Sequence, residues 1–202
     1  MTDAVVVLDF ISTFAFGWVG ARVAATKNLD YGGILFVAAV SALSGGTFRN
    51  IVLQIHPAWI DHPYLFIAVG LAFLITIIMA SKKPVGKFGL ILDSLGLGFS
   101  VVAAVDVSLR NHAPVYAAIV LGVLSGVLGG LTRDVLCQVP PVLLHRETIG
   151  TACLSGAVVY VALDSFNLNE GLVVAIGGLV VVVVRELSIR NDLDPSELVK
   201  VG

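Results

Sequence analysis

The sequence predicts an all-α integral membrane protein: seven transmembrane helices, arranged as a 3+3 inverted repeat plus a seventh helix, with kinked second and fifth helices. Three observations carry this. The 202 residues are 57% hydrophobic and only 13% charged, with a mean hydropathy of +0.99, whereas charged residues alone make up about 25% of a soluble domain. Seven apolar stretches are long enough to approach the ~20 residues that a bilayer-crossing helix needs. A motif, SGGTFRNIVLQIHP at Ser44–Pro57, returns later in the chain as LGGLTRDVLCQVPP at Leu128–Pro141.

The stretches run in order over Ala4–Ala21, Gly32–Leu53, Tyr64–Ala80, Phe88–Val105, Val115–Leu136, Thr148–Leu163 and Gly171–Val184, joined by brief loops such as SKKPVGK. Asp3 is the one charged residue before the first run, and no positive region flanks it, so the run is expected to remain as a span rather than act as a cleaved signal. Lysine and arginine gather on one side of the predicted topology: Arg22 and Lys27, then Lys82, Lys83 and Lys87, then Arg146, then Arg185, Arg190 and Lys200. The other side receives little beyond Arg110. By the positive-inside rule the protein sits in the cell membrane as a multi-pass protein with its N-terminus outside and its C-terminus cytoplasmic. Trp18, Trp59, Tyr31 and Tyr64 read as interface anchors.

Laying the chain on itself without a gap, with Asp9 on Asp93, exposes the repeat. Over Ser41–Pro57 this register pairs Ser41 with Ser125, Gly45 with Gly129, Gly46 with Gly130, Arg49 with Arg133, Gln54 with Gln138 and Pro57 with Pro141. Six identities in seventeen positions compare with about one from composition alone. The repeating unit holds three spans, an odd number, so the second copy lies upside down relative to the first. The chain therefore reads as one membrane domain, 1–202, with inverted repeats at 3–80 and 87–164 and a seventh helix at 170–190.

Each glycine pair weakens its helix by roughly 1 kcal/mol per residue relative to alanine, which predicts a bend near the membrane midplane. Two small-residue stripes, Ala38, Ala42, Gly46 and Gly122, Gly126, Gly130, are expected to let the second and fifth helices cross closely. Arg49 and Arg133 follow one turn beyond the glycines. A lipid-facing guanidinium costs from about 2.5 to more than 10 kcal/mol, so both should point into the bundle. Ser41, Ser44, Thr47 and Asn50 on one helix, with Ser125, Thr132 and Asp134 on the other, are then the lining of a polar pathway. Asp9 and Asp93 join the arginines as gate or anchor candidates.

A net charge of −2 excludes the basic field that nucleic-acid binding requires. Cys137 and Cys153 lack histidines at ligand spacing and read as apolar filler, and the four histidines, His56, His62, His112 and His145, lie by loops. HExxH and GxSxG signatures are absent, so no enzyme is expected.

The two motifs, in a chain of this length with seven spans, resemble the prokaryotic trimeric intracellular cation (TRIC) channels, a group overlapping bacterial membrane proteins labelled glycine transporter. The resemblance covers essentially the whole chain. It implies a homotrimer surrounded by membrane lipids, each protomer holding its own hourglass pore for potassium and, less selectively, sodium. No cofactor is implied beyond these permeant ions and a bound lipid. By motif, Gly45, Gly46, Arg49, Gly129, Gly130 and Arg133 match family positions. Where the family often has a third glycine, Ser44 and Leu128 stand here. An arginine repels a cation by about 4 kcal/mol at 4 Å with an effective dielectric of 20, so Arg49 and Arg133 are expected to gate or anchor rather than to select. The rival reading is a secondary carrier for a small amino acid such as glycine, its carboxylate on an arginine and its amine on Asp134 or Asp93.

Overall fold

In the computed structural model, residues 3–79, 86–140, 148–166 and 168–190 are described. Among them are eight helices: α1 Asp3–Thr26, α2 Tyr31–Val52, α3 Ala58–Asp61, α4 Tyr64–Met79, α5 Lys87–Arg110, α6 Val115–Leu136, α7 Thr148–Asp164 and α8 Glu170–Arg190. Seven coincide with the apolar stretches. The remaining one, α3, is a single turn after Pro57 that the hydropathy pattern does not reveal. By length and composition α1, α2, α5, α6 and α8 can each cross a membrane, while α4 and α7 are shorter apolar helices of 16 and 17 residues. Lys82, Lys83, Pro141, His145, Arg146 and Lys200 lie outside the described residues.

The backbone repeats as the sequence does. Four non-glycine residues adopt a left-handed conformation, Asn28, Gln54, His112 and Gln138, with φ of 57°, 57°, 60° and 51°. They fall into two repeat-related pairs, Asn28 with His112 and Gln54 with Gln138, each just past a helix. At every one the next amide reaches back to the helix's last turn: Leu29 N to Ala24 O, Ile55 N to Asn50 O, Ala113 N to Ser108 O and Val139 N to Asp134 O, at 2.9–3.4 Å. This is the Schellman stop, which satisfies carbonyls that the helix end leaves free. Gln54 and Gln138 thus share a backbone conformation as well as an identity.

The equivalent helices α1 and α5 form the buried centre. α5 places Val101, Val102, Ala103, Ala104 and Val105 at 0% exposure, and it packs against α1, α6, α7 and α8. α2 packs on α6, again one helix of each repeat against its counterpart. The outer surface is apolar: Phe66, Ile67, Leu74 and Ile78 on α4 are all about half exposed or more, as a lipid-facing helix requires.

The helical assignment runs unbroken through Gly45–Gly46 and Gly129–Gly130. One expectation changes here. The small-residue stripes do not form the α2–α6 crossing: a Cβ on Gly122 or Gly126 would meet Val105 or Val101 of α5, and Ala38 and Ala42 face Gly17 of α1. The crossing uses the adjacent stripe. A Cβ on Gly45 would collide with the Ser125 carbonyl oxygen, and one on Gly129 would come within 2.8 Å of Ser41 O. These two contacts exchange when one repeat is laid on the other, as a twofold axis between the halves demands. The glycines at 45 and 129 are there so that two backbones can touch.

Candidate functional site

Both motif arginines are buried in the bundle rather than reaching an interface: Arg49 is 1% exposed and Arg133 5%. In the first half, Arg49 Nε donates to Asn50 Oδ1 at 2.7 Å, and Nη2 stands 3.9 Å from Asp9 Oδ2. Asn50 Nδ2 in turn donates to His56 O at 2.6 Å, tying the arginine to the loop after α2. In the second half, Arg133 Nε donates to Asp134 Oδ1 at 2.8 Å and Nη1 to Asp93 Oδ1 at 2.7 Å. The other Asp93 oxygen accepts from Arg185 Nη2 at 2.6 Å.

The two sites use the same repeat positions, the aspartate being held more loosely in the first, and their charges differ in one compensated respect. Asn50 becomes Asp134, which adds a negative charge, and Arg185 of α8, outside the repeat, adds a positive one. Each site stays formally neutral, as buried charges must be to avoid a desolvation cost of several kcal/mol per ion.

Arg185 therefore corrects the sequence reading. In the apolar pattern it and Arg22 look like cytoplasmic loop charges, but Arg22 is 5% and Arg185 4% exposed, both inside helices. Position at the end of an apolar run hides their burial. A second ion cluster also escapes the sequence: Arg110 Nε binds Asp106 at 2.8 Å and its Nη2 lies 3.0 Å from Glu170, while the Tyr160 hydroxyl donates to Asp106 at 2.8 Å. Only the i,i+4 spacing of Asp106 and Arg110 could have signalled it. Trp18 is buried at 6% with its ring edge-on to Phe88, so it is a packing residue rather than an anchor. Trp59 donates to Thr47 Oγ1 at 3.1 Å.

The predicted hydroxyls converge on the crossing. Ser41 Oγ contacts both Phe16 O and Gly129 O at 3.1 Å, bridging α1, α2 and α6. Ser44 and Thr132 hydroxyls meet across the crossing at 3.1 Å. Thr47 Oγ1 donates to Leu43 O. Gly46 and Gly130 have no neighbour nearer than the guanidinium of their own arginine, and each borders a small cavity. The first cavity, about 30 Å³, is lined by Asp9, Ser12, Ser41, Gly46, Arg49 and Ser125 among others. The second, about 20 Å³, is lined by Asp93, Gly130, Arg133, Asp134 and Arg185 with apolar neighbours.

The family described as Glycine transporter matches this chain twice, over residues 6–81 and 90–165, two copies in the same register as the motif repeat. The chain belongs to that family. The UPF0126 inner membrane protein YadS of Escherichia coli K12 is 30% identical over 187 residues, covering 91% of this chain and 90% of that protein. The UPF0126 membrane protein YvgT of Bacillus subtilis is 30% identical, covering 75% and 77%. Among solved structures, the TRIC trimeric intracellular cation channel orthologue from Rhodobacter sphaeroides superposes with a TM-score of 0.88 at 31% identity, covering 95% of this chain and all of that one. A further TRIC cation channel gives 0.80 at 28% identity, covering 92% of this chain and 93% of that one. Family membership, the fold of the TRIC channels and a multi-pass membrane architecture are therefore properties of this chain.

Proposed function

We propose that this chain is a monovalent cation channel, passing potassium and less selectively sodium, with a hydrophilic pathway inside each protomer of a homotrimer. In this reading all seven long helices span the membrane as a 3+3 inverted repeat plus α8, with the N-terminus outside and the C-terminus cytoplasmic. The observation that carries the reading is the α2–α6 crossing, where hydroxyls from both repeats and two formally neutral arginine sites meet in the interior of a fold shared with TRIC channels. Such a buried polar lining has no packing advantage over apolar residues, and it suits an ion that must exchange its water for protein oxygens.

In this reading the cavity of about 30 Å³, with room for a water or two, belongs to a closed conformation. Opening requires the glycine contact between α2 and α6 to slide or part. The arginines, held by carboxylates and by Asn50, act as anchors of the crossing rather than as ligands of the ion.

The family description and the pairing of guanidinium with carboxylate in one cavity support a second reading, a carrier for glycine or a similarly small zwitterion. Reconstitution separates them. The channel reading expects unitary current steps in planar bilayers with potassium chloride. A carrier gives no steps and saturable glycine uptake into proteoliposomes, and that result would overturn the proposal.

A further inference from the structure

The single turn α3 closes one side of the cavity beside Arg49, and little holds it there. Ala58 and Trp59 stand in that cavity's wall with Gly46, Thr47 and Arg49. Four residues make no stable helix by themselves, none of the four is buried, and Pro57 gives the turn no side-chain cap. His62 N, donating to Ala58 O at 2.8 Å, closes it. Among the described residues two side-chain hydrogen bonds fasten the turn and its approach to α2. Trp59 Nε1 donates to Thr47 Oγ1 at 3.1 Å, and Asn50 Nδ2 to His56 O at 2.6 Å. The Trp59 ring also meets Phe66 of α4 edge-on, with centroids 5.9 Å apart. A segment with so few buried contacts opens locally while the bundle stays folded.

A titratable pair spans this turn. His56 Nδ1 lies 3.7 Å from Asp61 Oδ1, joining the residue before Pro57 to the last residue of α3, and both side chains are exposed. Histidine is the side chain that changes charge between about pH 5 and 8, while carboxylates stay ionised down to about pH 4. Protonation of His56 therefore adds an attraction that draws the two ends of the turn together, and the attraction is lost as the pH rises. The other charged or titratable groups around the turn are placed differently. From α2, Arg49 reaches the His56 carbonyl through Asn50. On the α4 side, the His62 ring lies 5.4 Å from that of Tyr64, and its charge faces Asp9 of α1.

We propose that α3 is a lid over this cavity, latched by Trp59 on Thr47 and tightened by protons through the His56–Asp61 pair. In the orientation of the channel reading the lid faces outside, so external acid holds it shut and a higher pH loosens it. To that extent the inference rests on that reading; its test watches Trp59 and not current. An exposed ion pair shifts such an equilibrium by about two- to fivefold, which makes the device a modulator rather than an all-or-none switch.

The experiment is acrylamide quenching of Trp59 fluorescence in the full-length protein in lipid nanodiscs, with Trp18→Phe removing the other tryptophan. Should that background fold poorly, the unsubstituted chain serves, because Trp18 is only 6% exposed and Trp59 is the accessible ring. Between about pH 8 and about pH 5 the quenching constant should fall by up to about two- to fivefold. His56→Gln and Asp61→Asn should each abolish this step; both side chains are exposed, so neither change threatens the fold. His62→Gln should keep it. Thr47→Val, which preserves shape and removes the acceptor, should raise quenching at both pH values and leave the step in place. Equal quenching at the two pH values, or a step that survives His56→Gln or vanishes in His62→Gln, would overturn the lid. Quenching that ignores pH alongside unitary currents would do so and leave the channel reading intact. A His56-dependent step in a protein without unitary currents would support the lid and remove the channel reading.

Discussion

At the scale of single residues, the interior is organised by charge pairing. Asp93 takes hydrogen bonds from two arginines on different helices, at 2.7 and 2.6 Å, whereas Asp9 makes one looser contact at 3.9 Å. Removing one member of a buried, hydrogen-bonded ion set costs about 3–5 kcal/mol because its partners stay buried and unpaired. Asp93→Asn is therefore expected to destabilise the protein by about that amount, and Asp9→Asn by distinctly less. Unfolding by heat or by titrated detergent, followed by circular dichroism, ranks the two; equal losses would mean that the second site is no more tightly held than the first. Arg49, Arg133 and both aspartates are legible in the sequence, because an unexplained charge in an apolar run and its repetition are visible in one dimension. Arg185 as the second partner of Asp93 is not: the two are far apart along the chain, and a cation at the end of an apolar run looks the same whether it faces water or a buried carboxylate.

At the scale of helices, the glycine pairs divide their labour. Gly45 and Gly129 let the α2 and α6 backbones touch, while Gly46 and Gly130 face the cavities beside their arginines. Gly45→Ala is expected to push the helices apart, at a cost of about 1–3 kcal/mol, with the altered crossing read as changed channel open probability. Gly46→Ala, with nothing nearer than 3.9 Å, should be near neutral or slightly stabilising through better helix propensity. Equal effects of the two substitutions on stability would contradict the contact. The helix boundaries are readable to within a few residues, because apolar runs must end where the backbone leaves the membrane. Propensity acts locally, so in the sequence the glycines signal flexibility; the structure adds close approach at Gly45 and Gly129, a tertiary fact that depends on what lies opposite. The single turn of α3 carries no periodic signal at all.

At the scale of the whole molecule, the two copies of the family unit, 6–81 and 90–165, pack on each other through the α2–α6 and α1–α5 contacts, and α8 lies outside both. It is fastened to α5 near both ends, through Arg185 to Asp93 and through Glu170 to Arg110, and it balances the charge that Asp134 adds. Among the described residues α8 thus staples the second half, while Arg49 in the first is held through Asn50 and a carboxylate 3.9 Å away. We propose that the buried arginines anchor the crossing and do not choose the ion. The most direct measurement is the reversal potential of Arg49→Gln and Arg133→Gln channels in planar bilayers under a potassium chloride gradient. Unchanged cation preference with altered open probability is the predicted result; a large swing toward cations with gating untouched would contradict it.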